Sequence, residues 1–249
     1  MSLTLGIDLG GSAIKAGAVD VGAGEVVGEL QSVPTPPGAT LGATRVALAS
    51  LVARFPQCRG PVGLAFPSVV KNGITYTAAN IDRGWIGADA AALLTAAAGR
   101  TGVVVNDADA AGVAEMRVGA GRDERGLVMM LTFGTGIGSA LFVDGRLWPN
   151  TEFGHAEVDG REAEHRASAR VRTLEQLDWG AWSVRVNRVL EAFHTLLWPD
   201  LFIVGGGVSE RWDEFGAMLK SRARIVPAKL RHTAGVVGAA LHAAETASG

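Results

Sequence analysis

The sequence predicts an α/β protein of two lobes on three observations. An alternating apolar run closed by a glycine turn stands near the start, the same pattern returns half a chain later, and helical stretches separate short apolar strands after each copy. In the first copy Leu3, Leu5, Ile7 and Leu9 alternate as in a strand, Gly10, Gly11 and Ser12 turn the chain, and "AIKAGAVDV" leaves the turn extended. "EVVGELQSV", after the "GAGE" turn, completes a three-strand meander. In the second copy "RGLVMMLTF" reads as a buried strand, "GTGIG" (Gly134 to Gly138) as the turn, and "SALFVDGRLWP" as two short strands split at Asp144-Gly145. Between the copies the pattern predicts a helix over about 40–55, the strand "PVGLAF", a helix over about 89–98 and the strand "GVVVN" ending at Asn106-Asp107. After the second copy come a helix near 182–196, the strand "LFIV", the turn Gly205-Gly206-Gly207, a helix near 213–220 and a final helix from about Ala234. The expected division is a first lobe over 1–106, a second over 107–233, and a C-terminal helix over 234–249 that returns to the first lobe.

Composition narrows the function classes. A chain of 249 residues that is 48% hydrophobic and 19% charged can bury a sizeable core. A formal charge of -2 speaks against general binding to nucleic acid or to a membrane surface. The single cysteine, Cys58, excludes an intrachain disulfide. "MSLTLGIDL" lacks the basic start and the longer apolar core of a signal peptide, and no later segment approaches 18 apolar residues uninterrupted by glycine or charge, so a cytoplasmic protein is expected.

The first glycine turn joins strand to strand. Dinucleotide and Walker loops instead open into a helix and use its N-terminus on phosphate. In a hairpin the backbone N–H groups of Gly10 and Gly11, with Ser12, can meet phosphate oxygens, and Lys15 adds positive charge. Asp8 would repel phosphate unless it faces a metal, so the expected role for its carboxylate is to hold a hydrated divalent cation, Mg2+. Gly134, Thr135 and Gly136 offer a second set of phosphate contacts, with a plain tight hairpin as the alternative. Asp107 has two readings. It ends an apolar strand where a base could act, and it precedes "ADAAGVAEM", where it could cap a helix.

The strings "GIDLGGSAIKAG", "NDADAAG", "LTFGTGIGSA", "EFGHAEV" and "LFIVGGGVS" resemble, in this order, the successive signatures of the ROK-family sugar kinases. "WPNTEFGHAEVDGREAEHRAS" and "LWPDLFIVGGGVS" are similar to the bacterial polyphosphate glucokinases within that family, and the likeness runs from Gly6 to about Ala240. The resemblance implies the two-lobed actin-like, ribonuclease-H-like sugar kinase fold, with the duplicated meanders facing each other across a cleft. It also implies transfer of a phosphoryl group from inorganic polyphosphate, with ATP as a further donor, to the 6-hydroxyl of glucose.

It implies roles as well. Asp107 matches the general base, and Asp109 is read as a capping or supporting neighbour. Asn80, Asn106, Glu152, His155 and Glu164 match sugar contacts, whereas Glu157 reads as a solvated charge. Gly206 lies in a turn that borders adenosine in related kinases, although a strand-to-helix turn alone would also explain it. Many relatives follow the "GH" histidine with a cysteine-rich zinc motif; this chain has "VDGREAEHRAS" there, so no zinc is expected, and packing or a partner subunit must hold that loop. The six tryptophans, Trp85, Trp148, Trp179, Trp182, Trp198 and Trp212, read as core or subunit contacts, and a homodimer is expected. The run "KSRARIVPAKLR" over 220–231 carries five cations and no acid, which suggests either a solvated face or an extended basic track for a long polyphosphate. An ATP-only hexose kinase is the competing enzyme reading. A sugar-sensing repressor fits less well, because the first strand begins by about residue 3 with no DNA-binding helices before it.

Overall fold

The computed structural model describes residues 3–79 and 81–247. It divides into two compact units, one formed by residues up to 114 together with those from 233 onward, the other by residues 115–232.

The first unit opens with the antiparallel meander β1 (Leu3–Leu9), β2 (Ala13–Asp20) and β3 (Glu25–Pro34), followed by helix α1 (Leu41–Val52). Strand β4 (Val62–Phe66) pairs in parallel with β1. A small separate hairpin, β5 (Val70–Lys71) and β6 (Ile74–Thr75), precedes α2 (Ala90–Ala98), whose first turn is capped by the Asp89 carboxylate accepting the Ala92 N–H at 2.8 Å. Strand β7 (Gly102–Asn106) pairs in parallel with β4 and runs straight into α3 (Asp107–Val118). The sheet order is β3-β2-β1-β4-β7.

The second unit repeats the plan. Strands β8 (Leu127–Phe133), β9 (Ile137–Val143) and β10 (Arg146–Trp148) form the meander. A hairpin of β11 (Glu157–Val158) and β12 (Arg161–Glu162) leads into the short helices α4 (Ala163–Ala167) and α5 (Ala169–Leu174), then the long α6 (Trp179–Leu197). Strand β13 (Leu201–Gly205) pairs in parallel with β8, and after α7 (Trp212–Phe215) strand β14 (Arg224–Pro227) pairs in parallel with β13. The order β10-β9-β8-β13-β14 matches the first sheet position for position, as expected of a duplicated meander extended by two parallel strands. Helix α8 (Ala234–Thr246) lies on β1, β4 and β7 of the first unit. Its approach is so close that any side chain at Gly6 or Gly63 would overlap the α8 backbone at Val236 or Ala239.

Apolar patterning explains both cores. Leu5, Ile7, Leu48, Leu64, Phe66, Trp85 and Leu94 are fully buried together in the first unit. Met129, Leu131, Phe133, Trp182, Val189, Phe193, Phe202 and Phe215 form the second core, where Phe215 stacks on Trp179 at 5.1 Å and meets Trp182 edge-on. Trp85 and Trp182 are thus core residues, while Trp148 and Trp198 are each 65% exposed.

Three differences from the sequence pattern stand out. The helix expected near 213–220 is only α7, because after Phe215 turns into the core the chain passes Gly216 in a single 3-10 turn. The basic run is not one loop: β14 forms inside it, since Ile225 and Val226 complete the sheet beside β13. The division between units falls within α3, after Ala114, and not at the Asn106–Asp107 junction, because Ala110 packs with Ala65, Val105 and Ala239 of the first unit. Among the described residues no helix is long and apolar enough to cross a membrane.

Candidate active site

In each sheet the predicted site residues gather at the carboxyl ends of the parallel strands, the edge where open α/β sheets bind ligands. In the first unit, Asp8 lies near the end of β1 in register with Lys15 of β2. Burial pushes its carboxyl above the usual carboxylate range, against the opposing pull of Lys15. The turn that follows is held internally: the Gly10 N–H donates to the Ala13 carbonyl at 3.1 Å, and the Thr35 hydroxyl donates to the Gly10 carbonyl at 2.6 Å. Gly11 and Ser12 are exposed at its tip.

Two strands away, Asn106 and Asp107 share the start of α3 but do different things. The Asn106 side chain, buried, accepts the N–H groups of Ala108 at 2.9 Å and Asp109 at 3.1 Å, and its amide donates to the Ser68 carbonyl at 3.1 Å. Asn106 is therefore the helix cap. Asp107 occupies the first helical position, exposed, with its carboxylate taking the Ala108 N–H at 2.8 Å. Asp109 is buried on the inner side of the same turn. The capping role open to Asp107 in the sequence is filled by its neighbour. Asn80 lies outside the described residues.

The second unit brings the other predicted residues together. Gly134 and Thr135 are exposed at the hairpin tip, where the Gly134 N–H donates to the Gly136 carbonyl at 3.0 Å. Gly136 lies against Glu164, whose carboxylate any side chain there would overlap and which accepts the Ile137 N–H at 3.4 Å. The predicted phosphate turn and a predicted sugar contact are thus neighbours. His155 sits among carboxylates: its Nδ1 lies 3.1 Å from Glu162 and 3.8 Å from Glu164, and its Nε2 lies 3.9 Å from Glu152. The hydrogen bond to Glu162 raises the imidazole pKa, helped by Glu164 and Glu152, while partial burial pushes Glu152 up. Gly206 adjoins the same hairpin, but the fold by itself requires glycine there: its φ is +81°, and any side chain would overlap the Phe133 backbone.

Glu162 was not legible as a site residue, although "DG" at 159–160 signals the hairpin that carries it. The loop around it is held by arginines. Arg166 donates to the carbonyls of Val158 at 3.1 Å and Asp159 at 3.0 Å, and Arg188 grips the Asp159 carboxylate with two bonds of 2.9 and 3.1 Å. Val158 is buried beneath, and Trp182 donates to the Ala167 carbonyl at 2.9 Å. Packing and ion pairs thus hold this hairpin against α6. His155, Glu162 and Glu164 also have ligand-type atoms within 4.8 Å of one another, a grouping that exposed acidic side chains adopt without an ion as well.

The basic run is split by β14. Arg222 and Arg224 stand at the amino end of that strand, Arg222 5.9 Å over the Trp198 ring and Arg224 2.5 Å from Glu124. Lys229 and Arg231 follow its carboxyl end, the edge that carries the glycine turns. Roughly 10 Å of strand separates the two groups.

A family model described as the ROK family matches residues 4–171. The chain belongs to the ROK family. It is 48% identical over 237 residues, 95% of this chain and 89% of the relative, to a polyphosphate glucokinase of Mycobacterium tuberculosis. Among solved structures it is similar to an inorganic polyphosphate/ATP-glucomannokinase from Arthrobacter sp. strain KM, with TM-score 0.94 and 46% identity over 99% of this chain and 100% of that one. It is also similar to a ROK family glucokinase from Streptomyces griseus, solved with glucose and AMPPNP, with TM-score 0.81 and 26% identity over 98% and 99% of the two chains. The actin-like sugar kinase fold expected from the sequence is the fold of this chain.

Proposed function

We propose that this chain is a polyphosphate-glucose phosphotransferase, with Asp107 as its general base. The observation that carries the mechanism is the division of labour at the start of α3, where Asn106 holds the helix and leaves the Asp107 carboxylate exposed at the carboxyl edge of its sheet. The donor and acceptor assignments draw support from the similar proteins, named for polyphosphate and glucose, and in one case for ATP and mannose-type sugars as well. ATP is accordingly proposed as a second donor.

In the reaction Asp107 takes the proton of the glucose 6-hydroxyl as its oxygen bonds to the terminal phosphorus of the donor. The P–O bond to the rest of the chain breaks, and its electron pair leaves with a polyphosphate one unit shorter. Glu152, His155 and Glu164, with Asn106 and Asn80, orient the sugar hydroxyls. The turns at Gly10, Gly11 and Ser12, and at Gly134, Thr135 and Gly136, with Lys15 and the Gly206 turn, hold the phosphates. A carboxylate as sheltered as Asp8, with one lysine opposite, suits water-mediated contact to a hard cation, and Mg2+ bound there would neutralise donor charge. No zinc enters this scheme. The working unit is proposed to be a cytoplasmic homodimer, for which Leu196 and Trp198, 71% and 65% exposed near the end of α6, are candidate contacts.

The test is a donor panel with glucose, in which sugar phosphate is measured from polyphosphate and from ATP in separate reactions, with magnesium and after chelation. The reading requires product from polyphosphate and loss of activity on chelation that magnesium restores. Product from ATP alone would replace it with the ATP-only kinase.

A further inference from the structure

The "GH" turn and the hairpin that follows it are tied together by one side-chain bond, that of His155 Nδ1 to Glu162 at 3.1 Å. Glu162 is well placed to act as a fixed anchor. It ends β12 and lies opposite Glu157 in a two-stranded hairpin, whose turn residue Asp159 is clamped by Arg188 and whose main chain is held by Arg166. The imidazole has other carboxylate neighbours, Glu152, which precedes its own turn, and Glu164 of α4, while His165 of α4 lies 3.5 Å from Glu162 and 3.7 Å from Glu164. Glu152 and Glu164 both lie farther from His155 than Glu162 does, at 3.9 and 3.8 Å. Among the described carboxylates Glu162 alone is within hydrogen-bond distance of the ring, and it bonds Nδ1, which leaves Nε2 turned toward Glu152.

We propose that Glu162 is a positioning residue for sugar binding: by accepting the Nδ1 proton it fixes the orientation and protonation of His155, so that Nε2 and Glu152 present a set pair of groups to the sugar hydroxyls. This rests on the reading of His155 as a sugar contact. The same bond joins the turn to the hairpin.

A double-mutant cycle on glucose binding tests it, using the full chain with Glu162→Ala, His155→Ala and the combination, and Glu162→Gln as a conservative control. Glu162→Ala is expected to raise the glucose KM by about 3- to 10-fold, the scale of one partly exposed charge-assisted hydrogen bond, with kcat changed much less. Glu162→Gln, which keeps an acceptor but not the charge, should recover part of that loss. In the His155→Ala background, removing Glu162 should have no further effect. Nitrogen NMR of the His155 ring gives an independent reading, with wild type showing a protonated Nδ1 and Glu162→Ala losing that signature. Equal losses from Glu162→Ala with and without His155 would overturn the proposal, as would a KM unchanged by Glu162→Ala. An unchanged KM in His155→Ala would instead overturn the sugar-site reading itself. If chelation alone abolishes the ring signature and zinc restores it, a metal bridge replaces the direct bond and the proposal is wrong.

Discussion

Asn106 caps α3 and Asp107 is the proposed base, and mutation separates the two roles. Asp107→Asn keeps size and polarity and leaves the Asn106 cap intact, so kcat should fall by roughly 10²- to 10⁴-fold with the melting temperature retained. Asn106→Ala removes the cap and leaves the Ser68 carbonyl without its donor, so it should cost stability, about 0.5–2 kcal/mol for the cap alone. Steady-state kinetics and thermal melts on both variants distinguish base from cap. Near-normal turnover in a folded Asp107→Asn protein would remove the base assignment. His155 gives a pH test. Its pKa in the folded protein is raised above the unfolded value, chiefly by Glu162, so its ion pairs are fully present below the ordinary histidine pKa and are lost as pH rises through the folded value. The melting-temperature difference between wild type and His155→Ala should therefore be largest at mildly acidic pH and shrink on the alkaline side. A difference that grows with pH would contradict the arrangement of charges around the ring.

Turns and hairpins show what pattern reading captures and what escapes it. Both meanders were legible because the first opens on an alternating strand, the second on a continuous apolar run, and each has a glycine turn behind that strand. Asp144-Gly145 was legible too, as an aspartate-glycine pair between apolar segments. Asp159-Gly160 has the same chemistry, with φ of +49° and +79°, but its strands are only two residues long and carry mostly charge, so periodicity gave no signal. The site suffered the same blindness: Glu162 and the arginines that hold its hairpin meet their partners through tertiary packing that no local spacing encodes. Strand β14 was hidden by its flanking cations, since only Ile225 and Val226 mark it. The first glycine turn offers an element-level prediction. Gly11 has ordinary φ and open space around its Cβ position, so nothing in the fold demands glycine there. Gly11→Ala should leave the melting temperature unchanged or raise stability by about 0.4–1 kcal/mol, yet raise the KM for polyphosphate, roughly tenfold if one phosphate hydrogen bond is lost. An unchanged donor KM would return the turn to a purely structural role.

At the scale of the whole chain, the matching sheet orders place each set of glycine turns at the carboxyl edge of its own unit, and under the proposed function this separates the five cations into two groups with different expected effects on a phosphate chain. Lys229 and Arg231 leave β14 on the edge that also carries Gly134, Thr135, Gly136 and the Gly206 turn. Arg222 and Arg224 stand at the opposite end of the strand, one over Trp198 and the other paired with Glu124, so part of their charge is already engaged. A polyanion bound at the glycine turns would gain from the first pair and little from the second, since exposed charges more than a Debye length of about 8 Å apart are largely screened at physiological salt. Replacing Lys229 and Arg231 together with Gln should raise the KM for long polyphosphate more than for short chains, leave the glucose KM nearly unchanged, and reduce the salt sensitivity of donor binding. Replacing Arg222 and Arg224 together should leave donor kinetics near wild type and lower stability slightly through loss of the Glu124 pair, which at an exposed site is worth about 0–1 kcal/mol. Donor kinetics against chain length and ionic strength for the two double variants make the comparison. If the Arg222 and Arg224 variant is the one that loses long-chain preference, the donor does not follow the carboxyl edge of the second sheet.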